Sequence, residues 1–367
     1  MRAYGLRIGL AVILPALVGG LACDDDGSTT PSNQAPEIVA LQAEPPVVVP
    51  GGEMTLTCSA EDPEAEDLEF AWSAATGVLS GEGATVTWTA PPEEGTHLVS
   101  VTVEDARGGV ARDTLGADVF GGTLLLETRD GLTAVRFDGT QFVLHETTGS
   151  VEVLDTRIFT KSGSNVTELG HDGSVLERID CTNDEIYGHE FAMLPDAGYV
   201  LISNSDDVIH FVAPDGTFLE TVAMPDSSPE SLQNADGVLA EGRLIVSETG
   251  TRKLIAVDPD THEATIFREE DPGGGWLGAI DYADGRYYLC QSMDVHSFVE
   301  GGATETLGTV PDGNITGVKA VGSYLYLVIN HEGTLRRMHR ETGEVELMIE
   351  ELDYPQDVEY LPVALEE

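Results

Sequence analysis

The sequence predicts an all-β protein in which a β-sandwich precedes a six-bladed β-propeller. From Gly121 onward, a unit of two apolar strands joined by a polar turn recurs six times. The units begin at Thr123, Arg157, Gly198, Arg243, Arg286 and Tyr324. They are spaced by about 34 to 45 residues, which is the length of four short strands and their turns. Six units therefore predict six blades.

The end of the chain is expected to close the ring of blades. Residues 355–362 are similar to the short apolar segment that precedes each of the other units, whereas the first unit has no such segment before it. We expect this C-terminal segment to pair with residues 123–127 as the innermost strand of the first blade. Ring closure would leave no sheet edge free to aggregate.

Residues 35–119 alternate apolar and polar side chains in short runs separated by Pro- and Gly-rich turns, which predicts a β-sandwich. The segments Pro50-Gly-Gly, Phe70-Ala-Trp-Ser73 and Val101-Thr-Val-Glu-Asp105 resemble bacterial immunoglobulin-like modules of the PKD type. The resemblance implies a spacer or adhesion module without catalytic residues. We expect Trp72 and Trp88 in its core.

The first 22 residues have the pattern of an export signal, with a basic start, an apolar run and small residues before Cys23. This pattern, followed by a polar tract, resembles the bacterial lipoprotein signal, in which the Cys carries the lipid. An ordinary cleaved signal that leaves a free Cys is the alternative. A retained transmembrane helix is disfavoured, because the run from Ile8 to Leu21 is shorter than the ~20 residues that a span needs. Residues 23–34 are expected to form a flexible tether, and residues 120–367 the propeller.

The charge of the chain excludes two classes of partner. The sequence has 65 acidic and 18 basic residues, a formal charge of −47, and loss of Arg2 and Arg7 with the signal makes it −49. Such a surface repels nucleic acid and anionic lipid. Adaptation to a saline habitat and calcium binding both account for the acids; residues 62–67 and 258–260 are the oxygen-rich loops that favour calcium.

Three cysteines remain beyond Cys23. They are Cys58, Cys181 and Cys290, and their spacing matches no metal site. Because Cys181 and Cys290 belong to blades on nearly opposite sides of the ring, we expect no disulfide between them. All three are interpreted as small buried hydrophobic residues.

Binding sites of propellers form around the central channel, at the loops that lead into the innermost strands. Aligning the repeats places six polar candidates there: His189, Asn234, Asp236, Asn314, Thr316 and Gln356. Such a ring could hold a metal or polarise a substrate, and it also fits the water-filled mouth of a channel. His210, His296 and His339 lie in or beside third strands, away from the channel, and are expected to be structural.

Residues 234–260 resemble the broad group of NHL-repeat, YncE-like and SMP-30/gluconolactonase-like propellers. In lactonase-like members, Glu, Asn and Asp side chains hold a metal at the channel mouth and one Asp also acts as base. The resemblance implies such a role for Asp236, with Asn234 and Asn314 as further candidate ligands. Residues 189–201 are similar to a sequence motif of arylsulfotransferase-like propellers, which makes His189 a candidate site residue. The alternative is that His189 forms a hydrogen bond that joins a loop to the next blade.

The sequence contains no Ser nucleophile motif, phosphate loop or zinc-binding pair that would identify an enzyme. It therefore favours a monomeric lipoprotein of the bacterial cell envelope, facing the periplasm or the cell surface and held to the membrane by its lipid alone. The propeller is expected to bind a protein or a small molecule without catalysis. The alternative is a metal-dependent hydrolase of the lactonase kind. No cofactor is certain; calcium or another divalent metal is the candidate.

Overall fold

The computed structural model describes residues 33–365, except for 138, 147–148, 184, 187, 189, 196, 204–205, 226–235, 249–250, 270–274, 276 and 312. These residues form β-strands, turns and loops, and no helix occurs among them. Within the described part of the chain, no helix is long and apolar enough to cross a membrane.

Two four-stranded sheets pack face to face to form an immunoglobulin-like sandwich. The strands are β1 (Glu37–Glu44), β2 (Val47–Val48), β3 (Glu53–Glu61), β4 (Leu68–Ala74), β5 (Val78–Ser80), β6 (Thr85–Thr89), β7 (Gly95–Asp105) and β8 (Val110–Val119). One sheet has the order β1-β3-β6-β5 and the other β2-β8-β7-β4. The alternating burial along β3 and β7 is typical of strands with one face in a core.

The two tryptophans of the sandwich differ in burial. Trp88 is fully buried among Met54, Leu56 and Val99, as expected. Trp72 is only half-buried between the two core clusters of the sandwich, and its indole Nε1 donates to the Gly83 carbonyl oxygen at 2.9 Å. Trp88 is therefore the principal core aromatic, and Trp72 closes the edge of the core.

Six four-stranded antiparallel sheets follow, one for each blade. The strands of the second, third and fourth blades are β12 (Val151–Leu154), β13 (Arg157–Ser162), β14 (Asn165–Leu169), β15 (Val175–Ile179), β16 (Glu190–Leu194), β17 (Gly198–Ser203), β18 (Val208–Val212), β19 (Phe218–Ala223), β20 (Gly237–Ala240), β21 (Arg243–Glu248), β22 (Lys253–Val257) and β23 (Ala264–Glu269). The fifth and sixth blades contain β24 (Leu277–Ala283), β25 (Arg286–Gln291), β26 (Asp294–Phe298), β27 (Glu305–Thr309), β28 (Ile315–Val321), β29 (Tyr324–Ile329), β30 (Thr334–His339) and β31 (Val345–Ile349). The first blade has β9 (Thr123–Thr128), β10 (Gly131–Arg136), β11 (Gln141–His145) and, as its innermost strand, β32 (Val358–Leu361).

The second strand of every blade begins at the residue where the corresponding repeat unit begins in the sequence. The C-terminal strand β32 pairs antiparallel with β9, with Val358 opposite Leu126 and Leu361 opposite Thr123. The predicted ring closure is confirmed. Hydrogen bonds that close the ring continue beyond β32: the Thr123 hydroxyl donates to the Val363 carbonyl oxygen at 2.9 Å, and the Leu365 N–H donates to Thr123 Oγ1 at 3.0 Å.

The hydrophobic core of the propeller lies between the blades. Each of the six blade interfaces has its own cluster of buried apolar side chains, such as the one that joins Ile202 of the third blade to Val246 of the fourth. Cys290 is fully buried in one of these clusters and Cys58 in the sandwich. Cys181 is only half-buried, so the prediction that all three are buried is wrong for Cys181; all three are free thiols.

Candidate ligand site in the propeller channel

Charged side chains face the central channel from the innermost strand of nearly every blade. Two further residues lie directly before inner strands and two in second strands, and together they are called the channel cluster: Glu127, Glu152, Lys161, Glu190, Asp236, Asp281, Lys319, Asp357 and Glu359. It contains seven carboxyl groups and two of the three lysines of the chain. Such residues almost never lie in the interior unless they are paired, so their convergence identifies the channel as the candidate site.

The strand register arranges the cluster in two layers. Glu152, Asp281, Lys319 and Glu359 each lie opposite the third residue of the adjacent second strand. Glu190 lies opposite the fifth residue of β17, and the carbonyl oxygens of Asp236 and Asp357 accept the N–H groups of the fifth residues of β21 and β9. Equivalent positions in a ring of blades point to the same axis. Repeat geometry therefore brings these charges together.

The electrostatics of Glu152 show how closely the charges converge. Burial raises the pKa of the Glu152 carboxyl well above its usual range, and Glu359, Asp357 and Asp236 raise it further, while Lys319 opposes the rise. These charges come from the first, fourth and sixth blades, and Glu152 belongs to the second. Charges from three other blades can act on the Glu152 carboxyl only if all of these groups face the channel axis.

Lys319 is the centre of the first layer. Its Nζ lies 2.7 Å from Glu359 Oε2 and 3.4 Å from Asp281 Oδ1. Burial alone would lower the pKa of Lys319, but these two carboxylates raise it well above its usual range. The Asp281 carboxylate also accepts the Ala320 N–H at 2.7 Å. Lys319 therefore stays charged and neutralises part of the layer.

Lys161 has the corresponding place in the second layer. Its Nζ donates to the Gly188 carbonyl oxygen at 2.8 Å. Burial lowers the pKa of Lys161, and the carboxyl groups of Glu190 and Glu127 oppose that change. The pKa of Glu190 is raised well above its usual range by burial, Asp357 and Glu127. One lysine thus faces several acids that cannot all ionise without a further counter-charge.

Asp236 is the one candidate from the sequence that falls within the cluster. Its Oδ1 accepts the Gly237 N–H at 2.7 Å, and its Oδ2 accepts the Ile280 N–H of the neighbouring blade at 2.9 Å. Burial raises the pKa of Asp236 to about 7, against the effect of these two hydrogen bonds. The carboxyl group therefore joins the fourth blade to the fifth, and it titrates near neutral pH.

Two acids of the C-terminal strand segment behave similarly. Burial, then Asp236, raises the pKa of Asp357 to about 8. Burial raises the pKa of Glu359 to about 7, although Lys319 opposes the change. The segment that closes the ring thus also supplies two of the channel acids.

The other sequence candidates lie in different surroundings. Thr316 is the second residue of β28, and its Oγ1 is buried with no hydrogen-bond partner in the described part of the chain. Gln356 is half-buried, and its backbone N–H donates to the Glu127 carbonyl oxygen at 2.9 Å. Asn314 is exposed. His189, Asn234 and the lipidation candidate Cys23 lie outside the described residues.

The described residues include no group of three or more His, Cys, Asp or Glu side chains arranged to hold a metal ion. In the two loops considered for calcium, a carboxylate accepts hydrogen bonds from the backbone of its own loop. Asp62 Oδ1 accepts the N–H groups of Glu64 and Glu66 at 3.0 and 2.9 Å. Asp258 Oδ1 accepts those of Asp260 and Thr261 at 2.9 and 2.8 Å. Each carboxylate therefore stabilises a turn.

Sequence reasoning missed most of the channel cluster, because it considered the loops before the inner strands and not the strands themselves. The signal was present as a charged residue inside an otherwise apolar inner strand, at Glu152, Asp281, Lys319 and Glu359. An isolated charge in such a strand is expected to face a polar interior.

Comparison with known proteins agrees with the fold. Residues 38–115 match the PKD domain family, and no protein of curated function matches the chain. A solved structure of a nidogen/laminin complex aligns with 66% of this chain and 98% of its own, with 13% identity and a TM-score of 0.51. A structural genomics protein of unknown function from Bacteroides thetaiotaomicron aligns over 89% of this chain and 93% of its own, with 13% identity and a TM-score of 0.47. An auxiliary nutrient binding protein from Bacteroides ovatus covers 85% of each, with 11% identity and a TM-score of 0.41. At these identities the similarity concerns the fold alone.

Proposed function

We propose that this chain is an exported lipoprotein of the bacterial cell envelope whose propeller binds a positively charged ligand in its channel and does not transform it. The observation that supports binding is the imbalance of the channel cluster, in which seven carboxyl groups face two lysines. Raised pKa values at Glu152, Glu190 and Asp357 mean that the acids give up their protons reluctantly. A cation that enters would replace those protons and favour the ionised forms.

The position of the sandwich supports access to the channel from one side. The sandwich contacts the propeller at Gly322 and Ser323, in the turn that follows the inner strand β28. Glu190, Asp236 and Asp357 lie at the opposite end of their inner strands, where those strands begin. A lipid on Cys23 and a tether before residue 33 would leave that end of the channel accessible to a ligand.

A titration of the purified protein tests binding and its site together. Spermidine and Ca²⁺ serve as probes of an organic and an inorganic cation, with thermal melting and calorimetry as measurements. We expect one of them to raise the melting temperature at pH 8, and Glu152→Gln to weaken that effect. Asp260→Asn, on an exposed turn of the fourth blade, is the control. If neither cation acts differently from the same ionic strength of NaCl, the channel is not a cation site.

A metal-dependent hydrolase of the lactonase kind is the second candidate. It is favoured by Asp236, because a pKa of about 7 suits a general base at neutral pH. Asn314 is exposed, and both oxygens of the Asp236 carboxylate already accept backbone N–H groups, so we place this candidate second. The double variant Asp236→Ala, Asn314→Ala tests it: a hydrolase requires about one divalent ion per chain and lactone hydrolysis in the parent, both lost in the variant.

Export and lipid anchoring are tested separately. The variant Cys23→Ser should move the protein from the detergent phase to the aqueous phase, and the melting temperature of its propeller should not change. Unchanged partitioning would contradict the lipid anchor while leaving the binding proposal intact.

A further inference from the structure

A second site is formed where the sandwich meets the propeller, on the face opposite to the channel mouth. The junction is held by Asp118, which is almost fully buried. Asp118 Oδ2 accepts the Ser323 N–H at 2.7 Å, and Oδ1 accepts the hydroxyl groups of Thr96 at 2.6 Å and Ser323 at 3.2 Å. Phe120 contacts Tyr360 edge-on, with ring centroids 6.4 Å apart. These contacts fix one domain against the other.

The junction encloses a cleft of about 1010 Å³. Strands β7 and β8 of the sandwich form one wall, and strands and turns of the fifth and sixth blades, with Tyr360 of the first, form the other. Clefts of about 300 to 1,000 Å³ at domain interfaces are where small ligands bind. Leu98 extends into this cleft from the sandwich although it is largely exposed, so a large apolar side chain faces the open space.

The propeller wall of the cleft carries two arginines, Arg286 and Arg340, together with the acids Asp284, Glu305 and Glu341. The Arg340 guanidinium is oriented by three hydrogen bonds, to the Tyr288 hydroxyl at 2.6 Å, the Gly322 carbonyl oxygen at 2.6 Å and Asp284 Oδ2 at 2.9 Å. Arg286 Nη1 donates to Ser297 Oγ at 2.9 Å. Arg340 contacts the Tyr288 hydroxyl, and Arg286 lies two residues before Tyr288 on the same face of β25. Both guanidinium groups therefore lie beside Tyr288; burial raises the pKa of its hydroxyl, and both guanidinium groups oppose that rise.

The guanidinium groups keep donors for a ligand. Nη2 of Arg340 and Nη2 of Arg286 have no hydrogen-bond partner among the described residues. His339 also lines the cleft; its Nδ1 accepts the Glu341 N–H at 3.2 Å, so Nε2 carries the proton. His339 lies at the end of a third strand, where it was expected, and its Nδ1 also stabilises the turn that follows.

The acids beside these arginines are weaker partners. The side chains of Asp284 and Glu305 are 78% and 70% exposed, whereas that of Arg340 is 16% exposed. Glu341 is exposed as well, and the Arg286 side chain is 37% exposed. Solvent screens exposed carboxylates strongly, so the less exposed charges of the cleft are the two guanidinium groups.

We propose that this cleft binds a small organic carboxylate. Arg286 would hold the carboxylate group with two parallel hydrogen bonds from Nε and Nη2, the planar match that Arg offers to a carboxylate, and Arg340 would add one from Nη2. The carbon skeleton would lie against Leu98 and Leu307. The site does not depend on the channel or on the function proposed for it.

Calorimetric titration of the full chain with D-galacturonate, L-glutamate and citrate tests the proposal, with D-galactose as the neutral counterpart of galacturonate. We expect at least one carboxylate to bind and galactose not to bind. Arg286→Gln should weaken the binding by about tenfold or more. If galactose binds as well as galacturonate, or if no carboxylate binds below about 10 mM, the proposal is wrong.

Two matched controls separate the site from general effects. Arg243 begins β21 as Arg286 begins β25, and it pairs with Glu300 at 2.7 Å outside the cleft. Arg243→Gln should therefore leave binding unchanged. Leu98→Glu introduces a negative charge into the cleft and should abolish binding, whereas Val78→Glu, at an equally exposed position of the same domain (65% against 64%), should not. Equal losses in both members of a pair would overturn the assignment.

Discussion

Replacing Asp236 by Asn should make the stability of the protein less dependent on pH. The folded state raises the pKa of this carboxyl from its ordinary value of about 3.9 to about 7. Between these two values the folded protein binds more protons than the unfolded chain does. The free energy of unfolding must therefore fall as pH rises from about 4 to about 7, and change no further above that.

The size of the effect follows from the shift. About three pKa units at 1.36 kcal/mol each give at most about 4 kcal/mol. Because Asp236 is only half-buried, we expect about half of that, roughly 2 kcal/mol. Asn keeps one acceptor oxygen, so either Gly237 or Ile280 loses its partner, at a cost of about 1 to 3 kcal/mol that does not depend on pH. The variant should thus be less stable than the parent at pH 5, and the difference should shrink by pH 8.

Urea unfolding at pH 5, 6, 7 and 8, followed by tryptophan fluorescence, measures the difference at each pH. Asp258→Asn is the control in the same blade, because hydrogen bonds from the Thr261 and Asp260 N–H groups lower the pKa of Asp258. The stabilisation that ionised Asp258 provides is fully present above the pKa of the unfolded chain, about 3.9, so the effect of Asp258→Asn on the free energy of unfolding should be constant from pH 5 to 8. A difference between parent and Asp236→Asn that stays constant or grows with pH would refute the raised pKa.

Further predictions concern the ring, the charge and the junction. Deleting the residues after Leu352 removes β32 and exposes the edge of β9, so the truncated protein should aggregate or unfold well below the melting temperature of the full chain. A chain ending at Leu365 is the control. Equal melting temperatures of the two truncated chains would contradict closure by β32. At a net charge near −49, stability should rise with NaCl until the Debye length falls to about 3 Å near 1 M; a flat or falling response would mean that the acids are locally paired. Asp118→Asn removes a buried acceptor at the junction and should lower the free energy of unfolding by about 1 to 3 kcal/mol, measured by urea unfolding. Asp113→Asn, on the exposed face of β8, is the control. An equal effect of the two substitutions would contradict a structural role for Asp118.

The repeat determines the fold so strongly that it could be read from the sequence. The starts of β13 at Arg157 and of β29 at Tyr324, and the pairing of β32 with β9, all follow from a local pattern of apolar strands and turns. Closure is a consequence of the same pattern, because one blade lacks its inner strand unless the C-terminus supplies it.

The channel cluster could not be found in the same way, because it consists of contacts between distant blades. Glu152 and Glu359 are separated by most of the propeller sequence, yet the Glu359 carboxyl raises the pKa of Glu152 across the channel. Their shared feature is a position opposite the third residue of a second strand. That feature becomes visible only when the strand register is known. The contact of Asp118 with Ser323 was hidden for a similar reason, because no sequence pattern states where one domain docks on another.

The positions of the lysines show that surface adaptation to salt does not account for all the acids of the chain. Adaptation of a surface to salt replaces exposed lysines by acids, and the scarcity of lysine here agrees with that. It does not explain why two of the three lysines lie in the channel, Lys161 nearly inaccessible to solvent and Lys319 between Asp281 and Glu359. Each is positioned to neutralise carboxyl groups that solvent reaches poorly, where an unpaired charge is costly. The channel acids therefore form a partly neutralised internal network that is distinct from the acidic surface. Its carboxyl groups outnumber its lysines, and a bound cation would supply the missing positive charge.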